Sequence, residues 1–297
     1  MRRRRIAAGL TLCAVAAIGV AAAVAFTGGG GSSRAKREGA TTTTTSSPKP
    51  PAERKRKAKV RKSEQARQKA LALSADRAAA RFAELGYPLY CGGTHKNVVA
   101  LTFDDGPATL TDQGVLRVLG NRHAHATFFI LGRHIQNYPL VVRKELRFGA
   151  VGNHTWNHAS LTGLNAFAIK SELGDTQRQL EQTTGRPIRL FRPPYGAHGP
   201  KVDELVRSYG MLEVLWSVDS HDWKGLSSDA IIQRVVGLVG PGSIVLMHDI
   251  HENTVEGLPK LIRKLRRRGY RLLSVPEMLV VDPPSQRQLS LGAGGCS

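Results

Sequence analysis

Cysteine is rare in this sequence, and no second long apolar run follows the one near the N-terminus. Three cysteines among 297 residues are too few for a disulfide-rich scaffold, and none forms the CxxC pair of a zinc ribbon or redox motif. The absence of repeated apolar runs excludes a multi-span membrane protein. An apolar content of 41% excludes a wholly disordered chain, and the length fits one domain of about 200–250 residues with appendages.

Acidic residues are scarce in the first third of the chain. Residues 1–90 hold 5 of the 23 Asp and Glu but 19 of the 43 Lys and Arg, so most of the net charge of +20 lies there. Within residues 1–27, Arg2–Arg5 precede an uncharged run of small and apolar residues, as in an export signal. Ala23–Ala25 provides a small-residue cleavage site, which predicts a cleaved signal peptide.

The same run is about 20 residues long, enough to span a bilayer, so an uncleaved membrane anchor is the alternative. In both cases the four arginines keep the N-terminus inside. The rest of the chain is therefore expected on the extracellular side of the cell envelope, either membrane-anchored or secreted.

Two further segments precede the predicted catalytic domain. Residues 28–51 are rich in Gly, Thr, Ser and Pro and predict a disordered linker. Residues 52–90 are rich in Lys, Arg, Ala and Glu and predict a basic helical stem. The stem is either a solvated spacer or an electrostatic contact to an anionic wall polymer or membrane surface. Nucleic acid is not an expected partner, and deletion up to about Leu85 is expected to spare activity on a small soluble substrate.

Residues 91–297 alternate short apolar runs with helical patterns, which predicts an α/β fold of parallel strands covered by helices. The predicted strands are Val98–Phe103, Thr127–Leu131, Ala150–Asn153, Arg189–Phe191, Glu213–Val218, Ser243–His248 and Arg271–Val275. The predicted helices lie near Ile135–Phe148, Ala166–Thr183, Lys201–Tyr209, Ser228–Val239 and Val255–Arg268.

Several predicted strands end in polar residues. Parallel strands present their carboxyl ends at one edge, where barrel enzymes build their active sites, so these residues are expected to converge. They are Asp104 and Asp105, His154, Arg192, Asp219, and His248 with Asp249.

A metal site is one interpretation of the histidines and aspartates. His154 and His158 are four residues apart, the spacing of a two-histidine metal motif, and an aspartate would complete three protein ligands with an open position. The alternatives are a chance histidine pair among ten and a simple turn at Asp104–Pro107.

Five motifs together resemble one family. They are TFDDGP from Thr102, HTWNH from His154, RPPYG from Arg192, DSHDW from Asp219 and LMHD from Leu246. In this order and spacing they resemble the polysaccharide deacetylases of carbohydrate esterase family 4, over about residues 97–276. The resemblance implies a distorted (β/α)7-type barrel and a metal-dependent hydrolase with one divalent ion, foremost Zn²⁺, with Co²⁺, Mn²⁺ or Ni²⁺ as other options.

The resemblance also implies a role for each matching residue. Asp105, His154 and His158 are the implied metal ligands. Asp104 is the implied general base, and Arg192 would orient it and balance its charge.

On the other side of the implied site, His248 would act as general acid, with Asp222 raising its pKa. The backbone N–H of Tyr195 would help to hold the oxyanion. The walls of the acetyl pocket are implied to be Trp223, Leu246 and Pro193.

The expected activity is therefore removal of acetyl groups from N-acetylhexosamine residues of peptidoglycan or chitin-like oligomers, by a monomer. The alternatives are an acetylxylan O-esterase on the same fold and a catalytically weak carbohydrate-binding protein of the envelope. A protein whose function lies in its basic tail is a further alternative.

The two cysteines that bracket the predicted catalytic domain are Cys91 and Cys296. Export permits a disulfide between them, and closure of a loop of about 200 residues could stabilise the fold by roughly 4–5 kcal/mol at most. Two unpaired thiols are the alternative.

Overall fold

The computed structural model describes residues 51–108 and 110–296. The predicted export segment, residues 1–27, lies outside them, as does the predicted linker apart from Pro51, which begins the first helix. In this described part, none of the helices combines the length and apolar character needed to cross a membrane.

The described residues form ten α-helices and eight strands. The helices are α1 (Pro51–Leu85), α2 (Leu110–Arg122), α3 (Gly132–Ile135), α4 (Pro139–Arg147), α5 (Ala166–Thr184), α6 (Pro200–Ser208), α7 (Ser228–Leu238), α8 (Glu252–Arg267), α9 (Val275–Val281) and α10 (Gln286–Ser290). The strands are β1 (Val98–Asp104), β2 (Ala126–Ile130), β3 (Gly149–Asn153), β4 (Leu190–Phe191), β5 (Leu212–Glu213), β6 (Val218–Asp219), β7 (Ile244–His248) and β8 (Arg271–Leu272).

The strands form one curved parallel sheet in the order β5-β4-β3-β2-β1-β7-β6, with β8 paired to β1. Every residue of β1 and β2 is buried, as expected for parallel strands covered on both faces. Register places Asp104 opposite Phe129 on β2 and opposite His248 on β7. The fold is a half-barrel of parallel strands, because no ladder among the described residues joins β5 to β6.

The segment that precedes β1 lies between the two ends of this sheet. Leu89 forms a parallel bridge with Val214 just after β5, and Cys91 forms an antiparallel bridge with Ser243 just before β7. Cys91 is also bonded to Cys296, so the predicted disulfide is confirmed. The bond joins the start and the end of the catalytic domain across 205 residues of sequence.

The predicted strand Glu213–Val218 is wrong. The structure has two short strands there, β5 and β6, with Val214 in a bridge to Leu89 and residues 215–217 outside any strand. Leu89, from the segment that precedes β1, is the partner here, because it donates to the carbonyl of Glu213 and accepts from the N–H of Leu215. An apolar sequence alone does not show which partner its backbone takes.

Other elements also differ from prediction. The predicted helix over residues 135–148 is two helices, because Pro139 begins α4 at its first position. The predicted strand over residues 271–275 stops at Leu272, since Ser274 and Glu277 form a capping box that starts α9. Neither α9 nor α2 was predicted from the sequence.

Two apolar clusters hold the sheet. The larger one packs β1 and β2 against α2, α4, α7 and α8 through buried residues such as Phe103, Leu119 and Leu261. The second one includes Ala79, Phe82 and Ala83 of α1, packed with α9 and the other face of the sheet. The end of the predicted stem is thus part of the core, so deletion up to Leu85 would remove buried side chains.

Candidate active site

Most of the polar residues that end the strands lie around one cavity at the carboxyl edge of the sheet, but Asp249 lies outside it. Its volume is ≈ 460 Å³. The residues that line it are Asp104, Asp105, His154, His158, Pro193, Tyr195, Trp216, Asp219, Trp223, Leu246, His248 and His251. The structure therefore brings together nine of the eleven predicted site residues at the cavity wall. The other two, Arg192 and Asp222, are buried behind it and contact Asp104 and His248.

One side of the cavity holds the three predicted metal ligands. The Oδ1 atom of Asp105 lies 3.6 Å from Nε2 of His154 and 3.4 Å from Nε2 of His158. This oxygen is buried and has no hydrogen-bond partner among the described residues. Two imidazole nitrogens and one carboxylate oxygen that converge without another polar partner fit a catalytic Zn²⁺-type ion, since three protein ligands leave a coordination position open.

Both imidazoles are oriented by their second ring nitrogen. Nδ1 of His154 lies 2.7 Å from the carbonyl oxygen of Arg192, so it carries the proton and leaves the Nε2 lone pair facing Asp105. Burial lowers the pKa of His154 to about 3, so this ring is neutral. Nδ1 of His158 lies 3.1 Å from the hydroxyl of Tyr195.

Strained backbone surrounds the same position. Asp105, Thr155, His158 and Tyr195 have φ between 62° and 76°, the left-handed region that side chains other than glycine rarely adopt. Such strain costs about 1–3 kcal/mol per residue and persists at sites where the surrounding structure demands it. Here it turns two of the candidate ligands and the Tyr195 hydroxyl toward one point.

Asp104 is held by a buried arginine. Nη1 of Arg192 donates to Oδ1 of Asp104 at 2.8 Å and to the Thr102 hydroxyl at 2.7 Å. Its Nε and Nη2 donate to the carbonyls of Val214 and Leu215, both at 3.0 Å. The guanidinium is fully buried and fixed by four bonds, so the Asp104 carboxylate has one orientation.

The remaining oxygen of Asp104, Oδ2, lies 3.7 Å from Nε2 of His154 and so faces the candidate metal site. Burial raises the pKa of Asp104, and the charge of Arg192 offsets this only in part. A carboxylate with a raised pKa is a stronger base than an ordinary one.

The cavity also holds a second paired group, His248 with Asp222 behind it. Nδ1 of His248 donates to Oδ1 of Asp222 at 2.8 Å, and the hydroxyl of Thr254 donates to Oδ2 of Asp222 at 2.7 Å. Burial acts to lower the pKa of His248, but the hydrogen bond to Asp222 and the charges of Asp104 and Asp222 outweigh it and raise the pKa to about 9. His248 is therefore an imidazolium at neutral pH.

Apolar and aromatic side chains also line the cavity. Leu246 is buried at the base, whereas Trp223 is 52% exposed and Tyr195 is 72% exposed. Both rings can therefore contact a ligand at the rim. Pro193 follows β4 and also lines the cavity.

Sequence reasoning missed three residues of this region, whereas Asp219, which was expected to converge here, does line the cavity. Trp216 also lines the cavity, and so does His251, whose ring centroid lies 5.7 Å from that of His248. Thr254 binds Asp222 from the first turn of α8. No spacing rule identifies these three residues, although Trp216 shortly precedes the DSHDW motif.

Known proteins are similar to this chain in sequence. The family model for polysaccharide deacetylases matches residues 92–214. A peptidoglycan-N-acetylmuramic acid deacetylase, PdaC of Bacillus subtilis, is 38% identical over 185 residues, which are 62% of this chain and 39% of PdaC. A peptidoglycan-N-acetylglucosamine deacetylase of Bacillus cereus is 34% identical over 200 residues, 65% of this chain and 93% of that protein.

A solved structure has a related fold. It is a pseudoenzyme of carbohydrate esterase family 4 from Bacillus anthracis, with a TM-score of 0.62 and 32% identity, and the match covers 65% of this chain and 68% of that one. The match to PdaC spans less than half of that protein's length. The motifs, the half-barrel and these matches together lead to one conclusion: the chain belongs to the polysaccharide deacetylase family, carbohydrate esterase family 4.

Proposed function

We propose that this protein is a metal-dependent hydrolase that removes acetyl groups from N-acetylhexosamine residues of a polysaccharide, with peptidoglycan as the first candidate. The observation that carries the proposal is that one cavity holds a carboxylate fixed by Arg192, an imidazolium fixed by Asp222 and a candidate metal site. Relatives named as peptidoglycan deacetylases support the choice of substrate class.

The metal would be held by Asp105, His154 and His158, and a mixed nitrogen and oxygen ligand set favours Zn²⁺, with Co²⁺, Mn²⁺ or Ni²⁺ as alternatives. When bound, a divalent ion supplies Lewis acidity, which activates water and stabilises negative charge on the acetyl oxygen. Every other step is assigned to side chains and backbone of this chain.

Asp104 would take the proton from the attacking water. Its Oδ2 atom faces the candidate metal site, while the bond from Arg192 to Oδ1 prevents the carboxylate from rotating. A positioned general base of this kind typically contributes about 10²–10⁴-fold to the rate.

The acetyl group would lie against Leu246, Trp223 and Pro193, with its oxygen near the backbone N–H of Tyr195. A preorganised donor at such an oxyanion typically contributes about 3–4 kcal/mol. These apolar and aromatic side chains would suit a methyl group.

His248 would then protonate the departing amine. An amine leaves poorly unless protonated, and the raised pKa of His248 keeps its proton available at neutral pH. Asp222 holds the ring in place, and Thr254 in turn holds Asp222.

Family membership alone does not secure activity, since a structural neighbour is a pseudoenzyme. This chain has all of the implied metal ligands, the base and the acid, which favours an active enzyme. We further propose that the enzyme is a monomer and that it lies on the extracellular side of the cell envelope. The exposed basic residues Lys59, Arg61 and Lys62 of α1 would contact an anionic wall polymer or membrane surface.

Acetate release from peptidoglycan, N-acetylglucosamine oligomers and acetylxylan, measured side by side, tests the proposal. We expect release from the N-acetylated substrates that the His158→Ala variant loses. Release from acetylxylan alone would instead identify an O-esterase. No release from any substrate in the presence of Zn²⁺ or Co²⁺ would indicate a binding protein.

A further inference from the structure

Three carboxyl groups meet behind the candidate active site, outside its cavity. They belong to Asp112 in the first turn of α2, Glu145 in α4 and Asp249, which follows β7. Each of the three residues has an exposed fraction of 0%. One oxygen of each carboxyl lies within 4.8 Å of those of the other two.

This cluster, Asp112–Glu145–Asp249, has no positive partner among the described residues. Both oxygens of Glu145, both of Asp249 and Oδ1 of Asp112 are buried without a hydrogen bond. The other oxygen of Asp112 accepts a bond from the N–H of Ala108. Buried charges are normally paired, because an unpaired one costs several kcal/mol. Something that the polypeptide does not supply must therefore neutralise this cluster.

Another buried carboxyl of the same chain differs in having a ring nitrogen beside it. Both oxygens of Glu213 are buried without a hydrogen bond, but Nδ1 of His198 lies 3.5 Å from its Oε1 and 3.4 Å from Oδ1 of Asp203. No basic side chain takes this position at Asp112–Glu145–Asp249, as far as the described residues show.

We propose that Asp112, Glu145 and Asp249 form a second cation site that binds a hard divalent ion of the Ca²⁺ class. Three carboxylates offer up to six oxygen atoms, and Ca²⁺ takes 6–8 oxygen ligands, including bidentate carboxylates. The absence of nitrogen and sulfur donors in the set disfavours Zn²⁺. The donor set thus distinguishes this site from the one formed by Asp105, His154 and His158.

Bound there, the cation would act as a positioning element for the catalytic residues. Asp249 follows His248 directly, and a Cβ atom added at Gly106 would come within 2.9 Å of Oδ2 of Asp249, so this carboxylate lies against the loop that carries Asp105. Asp112 binds the N–H of Ala108 in the same loop. The ion would tie the ends of β1 and β7 to α2 and α4.

Protons are the competing explanation. Burial raises the pKa of all three carboxyls, that of Asp112 to about 7, so neutral acids could also fill the cluster. The two explanations differ in whether an ion binds and in whether the substitution Glu145→Gln weakens its binding.

The test uses the full chain, freed of metal, reloaded with one equivalent of Zn²⁺ and dialysed against radioactive Ca²⁺. We expect one Ca²⁺ per chain at millimolar concentration and a melting temperature that rises by several degrees. Glu145→Gln preserves shape and removes one charge, so it should weaken Ca²⁺ binding by more than about tenfold. Asp112→Asn provides a second variant with the same expectation.

Two variants serve as controls. Glu213→Gln removes a buried carboxylate elsewhere and should keep Ca²⁺ binding, while Asp105→Asn should lose Zn²⁺ and still bind Ca²⁺. The proposal would be overturned if the wild-type chain, already loaded with Zn²⁺, bound none of Ca²⁺, Mg²⁺ and Mn²⁺. It would also be overturned if Glu145→Gln bound Ca²⁺ as tightly as the wild-type chain does. Neither readout requires deacetylation, so failure of this site and failure of the proposed function are separable.

Discussion

The Asp222 carboxylate accepts two hydrogen bonds from His248, one from Nδ1 at 2.8 Å and one from the backbone N–H at 2.7 Å. The imidazole is therefore fixed relative to the end of β7 as well as charged. This relationship predicts a specific pH dependence.

Asp222→Asn should move the basic limb of the kcat/KM profile to lower pH. A raised pKa keeps His248 protonated until the pH rises through about 9, so activity that needs the acid is lost above that value. Without the carboxylate, the pKa should fall toward the ordinary value of about 6.5. Profiles on a soluble N-acetylglucosamine oligomer measure the shift. Asp229→Asn, which removes an exposed partner of Lys260, should leave the limb unchanged, and an unchanged limb in Asp222→Asn would contradict the assignment of His248.

Replacement of Asp104 and replacement of Asp105 should have different effects on metal content. Asp105→Asn should lose metal and activity together, because Asp105 Oδ1 faces both histidines. Asp104→Asn should retain the metal and lose about 10²–10⁴-fold in rate, the usual contribution of a positioned base. Elemental analysis of both variants decides the assignment. If Asp104→Asn loses the metal and Asp105→Asn retains it, then Asp104 is the metal ligand and Asp105 is the base.

Arg192→Lys should destabilise the protein strongly despite the conserved charge. A lysine cannot reproduce the four hydrogen bonds of the buried guanidinium, and disruption of a buried ion pair typically costs about 3–5 kcal/mol. Urea unfolding measures the loss. Arg178→Lys is a matched control, since its pair with Asp175 is largely exposed and should change stability by less than about 1 kcal/mol. Equal stability of the two variants would show that the Asp104 pair is not important for the fold.

The double variant Cys91→Ser, Cys296→Ser should be less stable than the native protein by at most about 5 kcal/mol. The disulfide closes 205 residues, and most of its effect in the chain-entropy model comes from restriction of the unfolded chain. Thermal unfolding of the native protein with and without a reductant gives a second measurement. A melting temperature that responds to neither change would show that the bridge does not constrain the unfolded state.

Truncation should distinguish the two parts of α1. Removal of residues 1–70 deletes exposed basic side chains and should leave the melting temperature nearly unchanged. Removal of residues 1–85 also deletes Phe82, which is 3% exposed in the second core cluster, and loss of such a side chain costs about 3–5 kcal/mol. Differential scanning calorimetry compares them. Equal melting temperatures would contradict the packing of α1 described above.

Much of the candidate site could be predicted because its residues follow strands directly. Asp104, His154, Arg192 and His248 all stand at or just after the end of a parallel strand, and such ends share one edge of a sheet. Thr254 and His251 could not be predicted in this way, since they enter the site through the first turn of α8. The packing of α8 on α2 and α7 is a tertiary property.

The composition of α1 likewise gave no indication that its end is part of the core. The sequence predicts a basic helix, and the structure has one at almost the same residues, Pro51–Leu85. Lysines and arginines dominate its first half, so the apolar positions Ala79 and Phe82 do not stand out as a core face. Their burial depends on α9, a helix that the sequence did not predict.

The sequence by itself determined the α/β class, the family and the chemical types of the candidate site, because motifs and strand periodicity are local properties. Only the tertiary structure decided which atoms face each other. The fourfold bonding of Arg192, the orientation of His154 by a carbonyl and the meeting of Asp112, Glu145 and Asp249 all join residues far apart in the chain. Such contacts depend on how helices pack on the sheet, and the spacing of residues in the sequence does not encode which of them come into contact.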